Sequence, residues 1–358
     1  MRMSGWVRCC GLLALLAAVH TNAFAQRVNL EVSDPALNAV IGADARLELL
    51  NDRFGITEGP VWVPDGAQGY LLVCDLTANV IYRIDPDRTV SVFLDKAGYS
   101  GSQPDEAGFQ SRSGRMYVLL IGPSCTALDG QGRLLWCADN DGSILRLEPD
   151  GRRTVIADRF EGKRFNGPND LVLTHDGALF FTDPDFGLRY GVKSRFKQLD
   201  SAGVWYLRAG QPRKVLDQHD LGGPPDGIAL SPDEHYLYLT AGLGVLKRYA
   251  IGPDGSLSGG MQFAAGPGIG DGIKVDLAGD VFSTSGTAPG IVRITAPSGK
   301  LLGLIHLPTP QGEPRRQICA SNLAFGGPDG RTLFIAACQA VYRVRLKVPG
   351  PRAAAVAH

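Results

Sequence analysis

The sequence predicts an all-β chain folded as a six-bladed β-propeller. Three observations lead there. A unit built from a polar residue, an alternating apolar strand, a Gly- or Asp-Gly turn and a second strand recurs six times. The polar residues that open the units, Glu58, Ser124, Asn169, Asp226, Asp271 and Ser321, are separated by 66, 45, 57, 45 and 50 residues. Gly and Pro are frequent, at 46 and 23 of 358 residues, and Val, Ile, Leu, Tyr and Phe runs far outnumber helical ones. Three or four short strands per unit of roughly 40–50 residues is the period of a propeller blade.

In chain order, residues 1–25 read as an export leader. Arg2 and Arg8 give a positive start, Cys9 to Val19 is mostly small and apolar, and Ala23-Phe24-Ala25 is a cleavage signal before Gln26. The apolar run falls short of the roughly 20 residues that span a bilayer, so the expectation is a bacterial protein released to the periplasm or outside the cell. Without the leader the chain keeps 34 basic residues against 36 acidic ones, which is no footprint for nucleic acid or an anionic membrane. Oligomeric state has no signature. Five cysteines remain; Cys125 and Cys137 flank one expected hairpin and Cys319 and Cys338 another, so an oxidising compartment would permit bridges that spacing alone cannot establish.

The single domain is expected over 26–348. Residues 27–45 form a lead-in with a helical turn or two between Pro35 and Ala45. Each unit has a large apolar residue four places after its polar one: Trp62, Leu128, Leu173, Leu230, Val275 and Phe325. Second strands follow at Tyr70–Cys74, Leu134–Ala138, Ala178–Thr182, Tyr236–Thr240, Val281–Thr284 and Thr332–Ala336, and third strands at stretches such as Val80–Ile84 and Val204–Leu207. The last strand, Val341–Leu346, leaves the sixth blade one short. Arg46–Leu50 or Phe54–Thr57 is expected to complete it and so close the ring, which removes two exposed sheet edges. Lys96–Met116, rich in Gly, Ser and Gln and without periodicity, reads as a loop insertion. Residues 349–358 read as a disordered tail.

In a propeller the innermost strands run along the axis, so the six opening residues would ring a common mouth. Three carboxylates at close range repel one another unless a cation or protons compensate. An all-oxygen set suits a hard ion, Ca²⁺ first, with Zn²⁺, Mn²⁺ or Mg²⁺ as alternatives. Taken singly, each Asp-Gly is an ordinary turn; the shared register is what singles these out. Other motifs fall away. Asp139-Asn140-Asp141-Gly142 lacks the spacing of a calcium-binding loop, Gly266–Gly272 follows no strand–helix unit, and there is neither a Gly-x-Ser-x-Gly elbow nor a Cys-x-x-Cys.

Glu58-Gly59-Pro60-Val61-Trp62, Arg164-Phe165-Asn166-Gly167-Pro168-Asn169-Asp170 running on to Asp183-Pro184, Pro225-Asp226-Gly227-Ile228, Asp271-Gly272-Ile273-Lys274-Val275 and Asn322-Leu323-Ala324-Phe325-Gly326-Gly327 together resemble the gluconolactonase/regucalcin (senescence-marker-protein) family. The resemblance covers nearly all of the mature chain and is nearest to bacterial exported gluconolactonases. It implies one divalent cation on the axis, held by Glu58, Asn169, Asp226 and Asp271, and hydrolysis of a small-molecule aldonolactone to the sugar acid. In that scheme the cation polarises the carbonyl and Asp271 is the general base. Ser124, Asp170 and Arg164 are candidate substrate contacts. Two departures stand out: the family commonly has Asn where Asp226 stands, and Ser-Asn-Gly where this chain reads Pro123-Ser124-Cys125. The alternatives are a hydrolase of the same fold for other lactones or phosphotriesters, and a non-catalytic binding propeller with a structural ion.

Overall fold

The computed structural model describes residues 25–104, 108–113, 116–242, 244–308 and 319–351. Its second strands are unbroken apolar runs: Leu71–Cys74, Leu134–Ala138 and Leu179–Phe181 are all buried. A middle strand is covered on both faces by neighbouring blades, so it needs no polar alternation. Outer strands face solvent and do vary, as in Val90–Asp95 and Leu257–Ala265.

Six antiparallel sheets of four or five strands form the blades. Blade one begins at Thr57, blade two at Thr126, blade three at Leu171, blade four at Pro225, blade five at Ile273 and blade six at Asn322. Each sheet runs outward in chain order through at least its first three strands, starting from the axial one. Six apolar cores lie between successive blades and carry the packing. Between blades two and three, Phe165 sets its ring edge-on to Phe181 and Trp205, with centroids 5.2 and 5.1 Å apart. Burying that ring anchors the loop that leads to Asn169 and Asp170.

Closure uses the first of the two expected segments. Arg46–Asn51 pairs with Ala340–Arg345 as the fourth strand of blade six, with Leu47 opposite Val344 and Glu48 opposite Arg343; Glu48 and Arg343 also form an ion pair at 2.8 Å. The lead-in does more than expected. Beside a helix at Leu37–Val40, Ala25–Arg27 adds a fifth strand to blade six and Asn29–Val32 a fifth strand to blade five. Both cover edges that would otherwise lie open.

Two expectations are corrected. The 96–116 insertion is not a plain loop, for Phe109–Ser113 pairs with Met116–Leu120 as a β-hairpin. Phe109–Ser113 is mostly polar, so it gives no strand periodicity to read. The tail is not free from its first residue: Pro349 O accepts the Leu277 amide and the Gly350 amide donates to Gly330 O, at 3.0 Å each. Residues 1–24, which hold nearly all of the expected leader, and 352–358 lie outside the described residues. No helix among the described residues is long and apolar enough to cross a membrane.

Candidate active site

In every blade the axial strand starts on the face where the second strand ends and the third begins. The opening residues therefore share one mouth of the channel, and the connections between blades, including the 109–120 hairpin, lie on that face. Glu58 stands in Thr57–Val63, Asp226 in Pro225–Leu230, and Asn169 and Asp271 two residues before Leu171–Leu173 and Ile273–Val275. These four side chains remain partly exposed.

They converge. Asn169 Nδ2 donates to Asp226 Oδ1 at 2.7 Å, and the Asp226 and Asp271 carboxyls lie within hydrogen-bonding range of each other. Glu58 accepts the Gly59 amide at 3.2 Å and a side-chain hydrogen bond from Asn322. Burial, then the charge of Asp226, pushes Glu58 up from the usual carboxylate range. Burial and Asp170 do the same to Asp226, and burial followed by Glu58, Asp226 and Asp170 raises Asp271 well above its ordinary value. Burial is the main reason each acid resists ionising, and a neighbouring carboxylate adds to it in every case.

Backbone geometry makes room for these groups. Gly59, at φ 43°, runs so close to blade two that a Cβ would sit 2.5 Å from the Cys125 Cα. Gly286, at φ 65°, lies against Asp271, where a Cβ would meet Oδ2 at 2.2 Å. No side chain fits at either place.

The remaining candidates are placed elsewhere. The Ser124 hydroxyl is buried, 2.5 Å from Asp139 Oδ1 and 2.6 Å from the main-chain oxygen of Asn169. Ser321 is likewise buried, its hydroxyl on Thr57 O at 2.7 Å. Neither completes the mouth, so the expected ring of six reduces to four. Asp170 is 4 % exposed; its two oxygens accept the amides of Leu171 at 2.9 Å and Ile228 at 3.2 Å. It ties blade three to blade four, directly beneath Asp226, and Lys274 offsets part of its charge. Arg164 donates to the carbonyls of Asn140 at 2.7 Å and Asn166 at 3.0 Å, which leaves its guanidinium clamping loops rather than facing the mouth.

Sequence reasoning missed Asn322. Its Oδ1 caps the Leu323 amide at 2.8 Å and receives Lys274 Nζ at 3.4 Å, while its side chain also reaches Glu58. The signal was available: among the residues that follow the six opening ones, only Asp170 and Asn322 carry a hydrogen-bonding side chain other than a thiol, and both cap the next amide. Two disulfides, Cys125–Cys137 and Cys319–Cys338, form at the permitted places, and Cys74 is free and buried. A cavity of about 710 Å³ opens at the opposite end of the channel. It is walled by the far ends of the axial strands, such as Leu173, Leu230 and Phe325, with Lys274 among its lining residues.

Among the described residues no three His, Cys, Asp or Glu side chains are grouped so as to hold a metal ion by themselves. The donor chemistry nonetheless fits a hard divalent cation: three carboxylates and one amide, all offering oxygen, in surroundings that penalise uncompensated negative charge.

Comparison with known proteins finds relatives over most of the chain. The family model described as the SMP-30/Gluconolactonase/LRE-like region matches residues 56–339. The gluconolactonase of Zymomonas mobilis is 35 % identical over 331 residues, covering 88 % of this chain and 85 % of its own. A pentonolactonase of Haloferax volcanii is 28 % identical over 292 residues, covering 78 % of this chain and 80 % of its own. The solved structure of a Xanthomonas campestris gluconolactonase superimposes with a TM-score of 0.70 at 29 % identity, covering 92 % of this chain and 99 % of that one.

Proposed function

The chain belongs to the SMP-30/gluconolactonase/LRE-like family, and on that premise we propose that its axial mouth hydrolyses a sugar lactone with the help of one divalent cation, calcium first. The observation that carries the proposal is the convergence of three part-buried carboxyls, Glu58, Asp226 and Asp271, with the Asn169 amide, a set whose negative charge a cation would offset. The relatives named for gluconolactone and pentonolactone hydrolysis support a lactone-cleaving carboxylic-ester hydrolase.

Glu58, Asn169, Asp226 and one oxygen of Asp271 would hold the cation. When bound, it supplies Lewis-acid polarisation of the lactone carbonyl. Asp271 takes a proton from water onto its other carboxylate oxygen as the water oxygen bonds to the carbonyl carbon, and returns that proton to the ring oxygen when the ester bond breaks. The product is the open hydroxy acid. Asn169 orients Asp226 through its amide, so Asp226 acts as a fixed charge and not as a proton carrier. Asp170 works from below, holding the Ile228 amide and hence the strand that carries Asp226. Export belongs to the same proposal, and the two disulfides support an oxidising compartment.

The test is acid release, followed with a pH indicator, from five- and six-carbon aldonolactones, simpler lactones and a phosphotriester in the presence of calcium. Turnover of the aldonolactones above the others is expected. No turnover of any lactone with calcium, zinc, manganese or magnesium present would sink the enzyme reading.

A further inference from the structure

We infer that Thr182 and Thr240 are positioning residues for the axial donors, each holding the main chain at a donor in the next blade through its hydroxyl. The inference rests on the cation-assisted reading above. Thr182 Oγ1 donates to Asp226 O at 2.8 Å and Thr240 Oγ1 to Asp271 O at 2.9 Å. In the other direction the Asp170 amide donates to Thr182 Oγ1 at 3.1 Å and the Gly227 amide to Thr240 Oγ1 at 2.8 Å. Both side chains are wholly buried. Each hydroxyl thus uses its one proton and a lone pair to join two blades at the mouth.

The pattern runs round the ring. Thr284 Oγ1 donates to Ser321 O at 2.6 Å, Ser321 Oγ lies on Thr57 O beside Glu58, and Ser124 Oγ lies on Asn169 O. Blades three, four and five carry a threonine at the end of the second strand or one residue before it, and open with a donor residue. Blades two and six have Cys137-Ala138 and Ala336-Ala337 at that strand end, and there the opening residue is itself a serine that makes the bond. The two serines that fail to face the mouth therefore do the threonines' work. All four donor-bearing segments are held by a hydroxyl of the blade before them. Threonine suits the task because its branched Cβ is stiff in a strand, and a donor set must be held to within about 0.5 Å to act together.

Thr284 supplies an internal control. Its carbonyl accepts the Asp271 amide, as the Thr182 carbonyl accepts the Asn169 amide, but its hydroxyl goes to Ser321 O at 2.6 Å, with a longer approach to Gly272 O at 3.1 Å, and neither residue presents a donor side chain at the mouth. The test compares Thr182→Val, Thr240→Val and Thr284→Val, with Thr→Ser at each position. The measurements are Tm, calcium affinity and amide hydrogen exchange without cation. All three valine variants should lose Tm, because each leaves buried polar groups short of a partner. Only Thr182→Val and Thr240→Val should weaken calcium, by about tenfold or more, with serine restoring it. Equal weakening in all three, or in none, would overturn the inference. If the wild-type protein takes up no cation, the cation reading fails by itself. Exchange in the segment from Asp271 to Val275 then decides: faster in Thr240→Val alone upholds the positioning role, and unchanged exchange overturns it.

Discussion

Replacing Asp271 by Asn should leave a folded protein that still binds the cation but turns over lactone about 10²–10⁴-fold more slowly, the usual worth of a positioned general base. The amide keeps an oxygen for the ion and loses the oxygen that receives the proton. The proposal gives this role to Asp271 because it faces the charges of Glu58, Asp226 and Asp170 together, while Asp226 has one oxygen engaged by Asn169. Steady-state kinetics beside a calcium titration checks it. A kcat near wild type would assign the base elsewhere, whereas loss of calcium binding would make Asp271 a ligand first.

Glu58→Gln should act on the other quantity. Glu58 enters from blade one, across the ring from Asn169 and Asp226, and the substitution takes away one of the three negative charges offered to the ion. Losing even a group behind a metal ligand costs about 10–100-fold in affinity, so losing this carboxylate should raise the calcium needed for half-maximal turnover by at least that much. The kcat at saturating calcium should change far less. Asp226→Asn is the contrasting variant. Its Oδ1 already accepts an amide proton, so an Asn whose oxygen keeps that place should retain the site with milder loss. If Asp226→Asn weakens calcium more than Glu58→Gln does, the division of roles among the ligands is reversed.

The repeat made the architecture legible. A polar residue at a fixed step before each apolar strand located all six blade starts, and of the two segments expected to complete blade six the structure uses Arg46–Asn51. The same register brought Glu58, Asn169, Asp226 and Asp271 to one mouth. It did not say which way a side chain turns. Ser124 and Ser321 occupy the shared position, but their short hydroxyls reach a neighbouring main-chain oxygen instead of the axis. Arg164 and Asp170 lie beside the right residues and are consumed by carbonyls and amides that only the folded chain supplies. Thr182 and Thr240 were visible as strand ends, while their partners sit 44 and 31 residues away in the next blade. Local pattern finds the strand; what lies across from it is a property of the ring.

The most direct measurement is turnover of an aldonolactone by chelator-treated protein as calcium is returned, with bound metal counted in the same samples. The account predicts negligible activity after chelation and saturable recovery as one ion per chain is taken up, with Tm rising in step because the ion binds only the folded ring. Full activity in metal-free protein, or recovery unrelated to uptake of one ion, would contradict it.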